Sequence, residues 1–440
     1  MLPDIQSHGE PLSIPTFDLV PSEIDGFMDA LRTFQSAFYD GFARRESRAH
    51  FLSYMVGQFS HLERKSIAPM ALEVEGGHIR GMQRWISEVT WDDAHMLRTY
   101  HHLVADELGD SGGVVILDET GFVKKGKASA GVARQDCRSL GHVENAQVGV
   151  FAAYASRHGY ALLDKRLFMP KVWFSAAYAE RRTRCQVPKA LGFQGKAKLA
   201  AAMLQALSKA EQVPFKYVVV GGLYGNSPDL LDAIDTGGGV TALAAIPGDT
   251  RCWLQAPRTE GKIYRYKGTV RSKRVVVASA PAPSPVAALA ASLPASSWYW
   301  RQVLDRTHGP IEYEFARKRI TLCQDGLPGR TVWLVIRRPL GAQPLSAYFI
   351  SNAPESTPLS LLVRLSGVGG VVAQCVEEGQ TELGMSHYEV RKYPGWHHHM
   401  LTTMLAHFFL WRLKRRLGQP SPRADGVAAG DGIAPGPIPD

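Results

Sequence analysis

The sequence lacks the cysteine patterns of a disulfide scaffold or a structural zinc site. Its 440 residues contain five cysteines, which are scattered along the chain, and no C-x-x-C pair. Disulfide frameworks and zinc sites need cysteines in pairs at short, characteristic spacings. The pattern therefore argues against both kinds of site and favours a reducing compartment such as the cytoplasm.

Long apolar runs and a secretory leader are also missing. The segment "MLPDIQSHGEPLSIPTFD" at the N-terminus is acidic and interrupted by proline, unlike a signal peptide. The nearest approach to a membrane span, "MLTTMLAHFFLWRLKRRLG", is interrupted by Thr402, Thr403 and His407. We therefore expect a cytoplasmic protein with no membrane partner.

Acidic residues are outnumbered by basic ones. There are 50 lysines and arginines against 41 aspartates and glutamates, which gives a formal net charge of +9. A basic balance favours a polyanionic partner such as DNA, through contacts to phosphate, although a merely basic soluble protein shows the same balance. The length exceeds one ordinary core, so two or three structural units are expected.

The patterning predicts a mixed α/β protein with a helical start and a β-rich, basic segment. Helical periodicity dominates until about residue 110, and buried strands such as "GGVVILDETG" and "PFKYVVVGG" follow, separated by helices. The Ala/Pro/Ser-rich stretch 278–297 is expected to be a flexible loop. The predicted units are a loose extension 1–22, a helical region 23–110, a core part 111–247, a β-rich segment 248–354, a helical part 355–417 and a disordered tail 418–440.

One buried strand ends where metal-binding nucleases often place a carboxylate, yet none is present. The stretch "VVVGGLYGNSP" passes from Val220 to Gly221 and Gly222 without an acidic residue. The strand "VVILDETG", by contrast, ends in Asp118 and Glu119, and oxygen ligands of this kind suit Mg²⁺. A solvated turn after a strand is the alternative interpretation of these two acids.

The long block that begins "VVILDETGFVKKGKASAGVARQ" resembles the DDE transposases of bacterial insertion sequences. The similarity extends over about residues 35–416 and includes "VPFKYVVVGGLYGNSPDLL" and "ELGMSHYEVRKYPGWHHHM". It implies a ribonuclease H-like core of mixed sheet and helices, with an N-terminal helical DNA-binding region and a β-rich insertion. It also implies double-stranded DNA as substrate, Mg²⁺ or Mn²⁺ as cofactor, and DNA strand cleavage and transfer.

The same resemblance predicts a catalytic triad with two members missing. Asp118 matches the first carboxylate, whereas the second falls on Gly221 and the third on Ala373. The Arg and Trp of the resembled motif fall on Gly369 and Gly370. Because neither glycine nor alanine has a side-chain ligand, Asp118 alone is expected to hold metal weakly, and the chemistry is expected to be lost or reduced.

An active nuclease with displaced ligands is the alternative. Glu377 lies one helical turn after Ala373 and is a possible substitute. Glu378 is close by in sequence, and Asp229 and Asp232 follow the Tyr-Gly turn. A two-metal site tolerates little displacement of its ligands, so the impaired enzyme is the preferred interpretation.

Basic and aromatic residues provide candidates for DNA contact. The residues expected to bind DNA are Lys124, Lys125, Lys127, Arg134, Tyr388, Arg391, Trp298 and Arg301. The neighbouring Trp300 belongs to the same aromatic group in the insertion. Packing of the tryptophans in the protein core is the alternative for that group.

Three consecutive histidines follow Trp396. His397, His398 and His399 point in different directions on any regular element, so we expect surface or packing roles and no shared metal. A protein that keeps the fold without the chemistry would bind DNA, at the nucleoid in a bacterial cytoplasm, as a homodimer or a monomer. If catalysis is lost it needs no cofactor, and a protein-interaction scaffold without DNA binding is the further alternative.

Overall fold

The computed structural model describes residues 21–416, apart from 138–140, 223–224, 267–268, 306–308 and 341–345. The predicted extension at 1–22 and the predicted tail at 418–440 thus lie outside the described residues, except that Pro21 and Ser22 begin the first helix. Leu223 and Tyr224 of the Tyr-Gly turn also fall outside them.

Five helices form the N-terminal region. They are α1 (Pro21–Ser36), α2 (Arg45–Phe59), α3 (Ile67–Glu73), α4 (Ile79–Glu88) and α5 (Asp93–Leu108). The apolar spacing seen in the sequence puts Leu31, Phe34 and Phe38 into the core at 3% exposure or less. The helical interpretation of this region is confirmed.

The α/β core follows at once. Its strands are β1 (Val114–Val123), β2 (Ala133–Cys137), β3 (His142–Ser156), β4 (Gly159–Phe168), β5 (Tyr217–Val220) and β6 (Thr241–Ile246). Its helices are α6 (Ala179–Arg184), α7 (Lys196–Ala210) and α8 (Pro228–Thr236). Strand β1 pairs antiparallel with β3 and parallel with β5, and β5 pairs parallel with β6, which makes the sheet mixed.

The remaining elements complete the molecule. The strands are β7 (Arg251–Trp253), β8 (Thr259–Tyr266), β9 (Thr269–Val276), β10 (Ser284–Pro285), β11 (Tyr299–Asp305), β12 (Gly309–Gln324), β13 (Leu327–Pro339) and β14 (Ala347–Ser351). The helices are α9 (Val286–Ala291), α10 (Leu359–Gly367), α11 (Val371–Leu383) and α12 (Tyr393–Arg416). The segment expected to be a flexible loop therefore contains β10 and α9, because Val286 and Leu289 pack into the core.

Most strands of the β-rich segment extend the core sheet and do not form a separate one. The sheet runs β10-β7-β12-β13-β14-β6-β5-β1-β3-β2, with β11 beside β12 and β4 beside β3. Strand β14 pairs antiparallel with β6, and this pairing joins the two parts. Only β8 and β9, among the described strands, pair solely with each other.

Helix α12 is the central helix of the fold. Its apolar residues from Trp396 to Leu410 are at most 5% exposed. Its Phe409 ring packs against Phe27, Phe34 and Phe59 of the N-terminal helices, with ring centroids 5.3–5.7 Å apart. The N-terminal helices thus share one core with the α/β part.

One stretch, Leu359–Leu383, is long and apolar enough to cross a membrane by length and composition. It lies upstream of the segment that the sequence suggests as the nearest candidate. In the fold it is divided into α10 and α11, and 56% of its most apolar window is buried inside the protein. A core helix of a soluble protein passes the same test, so this is weak evidence for a span.

Candidate active site

Asp118 lies where β1 passes beyond its parallel neighbour. The pairing of β1 with β5 ends at Leu117 and Val220, and the N–H of Gly221 donates to the Leu117 carbonyl at 2.9 Å. The buried run Val114–Leu117 fixes this strand in the middle of the sheet. The half-buried side chain of Asp118 thus emerges at the end of β5, and its Oδ1 accepts from the Glu119 N–H at 2.8 Å.

Gly221 adjoins Asp118 directly. A Cβ placed on Gly221 would lie 2.3 Å from the Asp118 Oδ2 atom and 2.7 Å from its Cγ. The two positions named as first and second carboxylates are therefore neighbours in space. With its present orientation, the Asp118 carboxylate occupies the space into which a side chain at position 221 would project.

The start of α11 supplies the other predicted positions. Gly370 precedes the helix, Ala373 lies in its first turn, and Glu377 follows one turn later on the same exposed face. A side chain at Gly369 would meet its nearest atoms at 3.8 Å, and one at Gly370 would meet none within 4 Å. Both positions therefore have room for a side chain larger than that of glycine.

These positions meet in one cavity of about 450 Å³. Its walls come from β1, the end of β5, the start of α11, and strands β13 and β14. The lining includes Asp118, Gly221, Gly369, Gly370, Ala373 and Glu377. The segments that the sequence places together are thus adjacent in the fold, although they are separated by more than 250 residues along the chain.

The donor set of this cavity fits a pair of divalent ions poorly. Of its lining residues, only Asp118 and Glu377 are carboxylates, and Arg337 brings a cation to the same space. Among the described residues, no group of three or more His, Cys, Asp or Glu is arranged to hold a metal. Two-metal chemistry needs several carboxylates around the ions, and Mg²⁺ in particular demands near-ideal geometry.

A family model described as DDE superfamily endonuclease matches residues 37–310, which is more than half of the chain. The chain belongs to this family. The predicted relationship to DDE-type transposases is confirmed, as is the mixed α/β fold. Enzymes of the DDE superfamily cut DNA with divalent metal ions. No curated protein matches the chain.

In this DDE family chain, the other acids near the cavity are engaged elsewhere. Glu378 points away from the cavity into a buried polar cluster, where its Oε1 accepts from the Tyr160 hydroxyl at 2.6 Å and from Gln374 Nε2 at 3.0 Å. Its Oε2 lies 2.6 Å from His407 Nε2. Asp232 accepts from Arg330 at 2.5 Å, an arginine that Asp235 also binds.

Asp229 stands apart from the candidate centre. It is exposed in the first turn of α8, where a negative charge suits the helix N-terminus, and it is not among the residues that line the cavity. Of the four substitute acids considered from the sequence, Glu377 is the one that reaches the cavity.

Two of the residues expected to bind DNA, Lys124 and Tyr388, make their contacts inside the protein. The Lys124 amine lies 3.3 Å from the centroid of the Tyr388 ring and donates to the Tyr388 carbonyl at 3.2 Å. Burial lowers the pKa of Lys124 to about 7, while the Glu389 carboxylate favours the charged form. The Tyr388 ring is 5% exposed, and its hydroxyl donates to Gln147 Oε1 at 2.8 Å.

The remaining cations of this region face solvent. Lys125, Lys127, Arg134 and Arg391 are exposed. The N–H of Ala130 donates to the Arg391 carbonyl at 2.9 Å, so the basic loop after β1 and the segment before α12 lie side by side. Together these side chains form a positively charged surface.

The aromatic group at 298–301 is divided between two environments. Trp298 is half-buried under the Arg338 guanidinium, which lies 3.6 Å from the ring centroid. Trp300 and Arg301 are exposed, the former at 53%. Core packing thus accounts for Trp298 but leaves Trp300 and Arg301 accessible.

The three histidines are buried and have separate partners, so of the surface and packing roles considered from the sequence the structure shows packing. His397 packs against Tyr393 and Trp396, and His398 stacks on Trp91 with ring centroids 3.9 Å apart. His399 Nδ1 hydrogen-bonds the Tyr54 hydroxyl at 2.7 Å. They are packing residues at the start of α12.

Sequence reasoning missed the strand residues that close the cavity. Arg337 and Tyr313 belong to β13 and β12, and the guanidinium of Arg337 lies 4.7 Å from the Tyr313 ring centroid. The basic strand "RTVWLVIRRPL" is visible in the sequence, but its neighbour in the sheet is not. Its position depends on the pairing of β14 with β6, for which the sequence carries no local signal.

Proposed function

We propose that this protein is a DNA-binding member of the DDE superfamily in which strand cleavage and transfer are impaired. In this proposal, Asp118 is the surviving first carboxylate, and Gly221 and Ala373 stand where the second and third ligands would be. Asp118 binds metal weakly, and DNA is held by the basic surfaces.

The observation that carries the proposal is the cavity itself. It brings Asp118, Gly221 and Ala373 to one place, and two of these three residues have no side-chain ligand. The three positions lie in β1, directly after β5 and at the start of α11, and the fold brings them together. The convergence supports an inherited site from which two ligands are missing.

The surface charge supports DNA as the partner. Lys125, Lys127, Arg134 and Arg391 are exposed, and the whole chain carries a formal charge of +9. Side chains of this type bind phosphate without reading sequence. Binding through them falls steeply as salt rises, because neutralised phosphates release their counterions.

A second candidate is an active DNA nuclease in which Glu377 replaces the missing third carboxylate. Glu377 lines the same cavity as Asp118 and is exposed within it. Two carboxylates could hold one divalent ion with the help of substrate phosphate. The nearby Arg337 opposes this arrangement through charge repulsion with the metal.

The first experiment measures cleavage of end-labelled duplex DNA in Mn²⁺, with binding to the same DNA followed by fluorescence anisotropy. Wild type is compared with Asp118→Ala, Glu377→Gln and a matched control, Asp229→Ala, whose carboxylate lies outside the cavity. We expect binding at low salt by all four proteins and no cleavage by any of them above the Asp118→Ala background.

Two outcomes would overturn the proposal. Cleavage that disappears in Asp118→Ala and Glu377→Gln, but persists in Asp229→Ala, would establish the nuclease with a displaced ligand. Failure of the wild-type protein to bind DNA at any salt concentration would instead support a protein-interaction scaffold.

A further inference from the structure

The hairpin of β8 and β9 stands apart from the main sheet. These strands pair antiparallel over Thr259–Tyr266 and Thr269–Val276, and they pair with no other described strand. From Glu260 to Arg265 and from Thr269 to Arg274 every described side chain is exposed. Both faces of the ribbon thus meet solvent, which is unusual because a two-stranded ribbon gains little stability by itself.

Positive charge is concentrated on this ribbon. Its strands carry Lys262, Arg265, Arg271, Lys273 and Arg274 against the single carboxylate of Glu260. Lys262 lies directly opposite Lys273 in the pairing register. Like charges in directly opposed positions destabilise a sheet, and an anionic partner would remove that cost.

Apolar side chains are exposed among these cations. Ile263 is 73% exposed, Val270 59% and Tyr264 37%. The Tyr264 ring lies on the same face as Lys262, Arg271 and Lys273, since directly opposed and alternate residues share a face. A surface that mixes cations with a few apolar groups suits a partner that has both phosphates and apolar edges.

The base of the ribbon is held firmly. The N–H of Val277 donates to the Arg258 carbonyl at 3.1 Å, and Trp253 Nε1 donates to the Pro281 carbonyl at 2.8 Å. The strands on either side of the ribbon, β7 and β10, pair with each other. The base of the ribbon is therefore anchored beside the main sheet, where β9 also approaches β13, and this anchoring reduces the ordering cost of binding.

We propose that the β8–β9 ribbon inserts into the major groove of B-form DNA. The face that carries Tyr264, Lys262, Arg271 and Lys273 turns toward the DNA. Tyr264 faces the base edges, and the three long cationic side chains beside it reach out to the phosphates. The groove is about 12 Å wide and admits a two-stranded ribbon, whose strands lie about 4.8 Å apart. The inference rests on the proposed DNA binding and adds the element and the groove that it uses.

The test compares the full chain with the triple variant Lys262→Gln/Arg271→Gln/Lys273→Gln. The matched control is Lys171→Gln/Lys189→Gln/Lys209→Gln, which removes the same charge from exposed positions elsewhere. Anisotropy titrations of a duplex DNA are run at several salt concentrations. We expect the ribbon variant to bind roughly tenfold or more weakly and to lower the salt slope by about three, since each lost phosphate contact removes about one.

A second readout locates the groove. Methylation of guanine N7 by dimethyl sulfate occurs in the major groove, so wild type should protect guanines that the ribbon variant leaves reactive. Duplex RNA should compete poorly, because its major groove is too deep and narrow for a ribbon. Melting temperatures check folding, and removal of the Lys262–Lys273 repulsion should leave that of the variant equal to wild type or slightly higher.

The outcomes separate this inference from the proposed function. Wild-type binding with equal losses in the two variants would overturn the ribbon as a DNA-binding element while leaving DNA binding intact. Absence of wild-type binding would overturn both. A ribbon variant that changes the mass measured by light scattering, but not the DNA affinity, would show that the ribbon pairs with a second copy of the chain.

Discussion

The glycine at position 221 and the glycine at position 370 border the same cavity but differ in what they allow. At position 221 the Asp118 carboxylate already occupies the space of a Cβ, at 2.3 Å. At position 370 nothing lies within 4 Å of a Cβ. A side chain can thus be added freely at position 370, whereas one at position 221 requires Asp118 to turn away.

This geometry predicts the effect of replacing the missing ligands. In the double variant Gly221→Asp/Ala373→Glu, repulsion between adjoining carboxylates turns Asp118, and the two new acids then face one cavity together with Asp118 and Glu377. We expect affinity for Mn²⁺ to rise by at least roughly tenfold, because the ion gains anionic oxygen ligands. Isothermal titration calorimetry of the free protein measures this gain without any need for activity.

The matched control for this prediction adds the same charges elsewhere. Ala190→Glu/Gly192→Asp places two acids on an exposed loop, where a side chain at position 192 meets nothing within 4 Å. An equal gain in the control would mean that Mn²⁺ responds only to net charge. No gain in either variant would show that the carboxylate positions have been assigned incorrectly.

The type of residue at Lys124 does not determine whether its side chain is exposed to solvent or buried. Its place in the sequence, among Lys125 and Lys127, predicts a solvated cation beside DNA. The fold instead brings Tyr388, far along the chain, over its amine at 3.3 Å, and burial lowers the Lys124 pKa to about 7. The sequence identifies a lysine at this position, but the burial of its amine depends on the contact with Tyr388, which lies more than 260 residues later in the chain.

At the scale of elements, the start of α12 buries three consecutive histidines. Burial lowers the pKa of His397 and His398, and it lowers that of His399 to about 3. The usual value near 6.5 applies to the unfolded chain. Between pH 6.5 and 3, the unfolded state therefore binds protons that native His399 does not bind, so stability falls as the pH falls through this window.

The histidines thus predict acid sensitivity. For His399, one proton corresponds to about 1.4 kcal/mol per pH unit below pH 6.5. We expect His399→Gln to reduce the slope of unfolding free energy against pH by about this amount between pH 6 and 4, as measured by denaturant unfolding. His158→Gln, at an exposed turn, is the control. An unchanged slope in His399→Gln would show that this imidazole is protonated in the native protein.

Local patterns predicted most of the elements but not their neighbours. The apolar runs ending at Leu117 and Val220 lie in strands, and the Ala/Leu/Lys-rich segment is α7, because hydrophobic periodicity is a local property. The strand end and turn expected at Asp118 and Glu119 were wrong, because β1 continues to Val123 in its pairing with β3. The pairing of β14 with β6 is not local, and it makes the β-rich segment part of the core sheet. The predicted site residues came from β1, β5 and α11 alone, so the wall that β12 to β14 contribute to the cavity was missed.

At the scale of the whole molecule, the sequence pattern changes near residue 110, but the residues before and after this position pack into one core. Phe408 and Phe409 of α12 meet Phe34, Phe59 and Tyr100 of the N-terminal helices, with ring centroids 5.3–6.4 Å apart. The Tyr100 hydroxyl also donates to the Leu162 carbonyl of β4 at 2.6 Å. The helical region therefore covers one side of α12 and is part of its core.

This packing predicts that a fragment of residues 111–416 does not fold by itself. Removing the N-terminal helices would expose several aromatic side chains of α12, and burial of each contributes about 1.5–3 kcal/mol, so the loss rivals the whole stability of a domain. We expect no cooperative thermal transition and weak near-ultraviolet circular dichroism, with recovery when a fragment of residues 21–110 is added. A fragment 111–416 that melts cooperatively at the temperature of the full chain would make the helical region an independent domain, and DNA binding could then be assigned to each part separately.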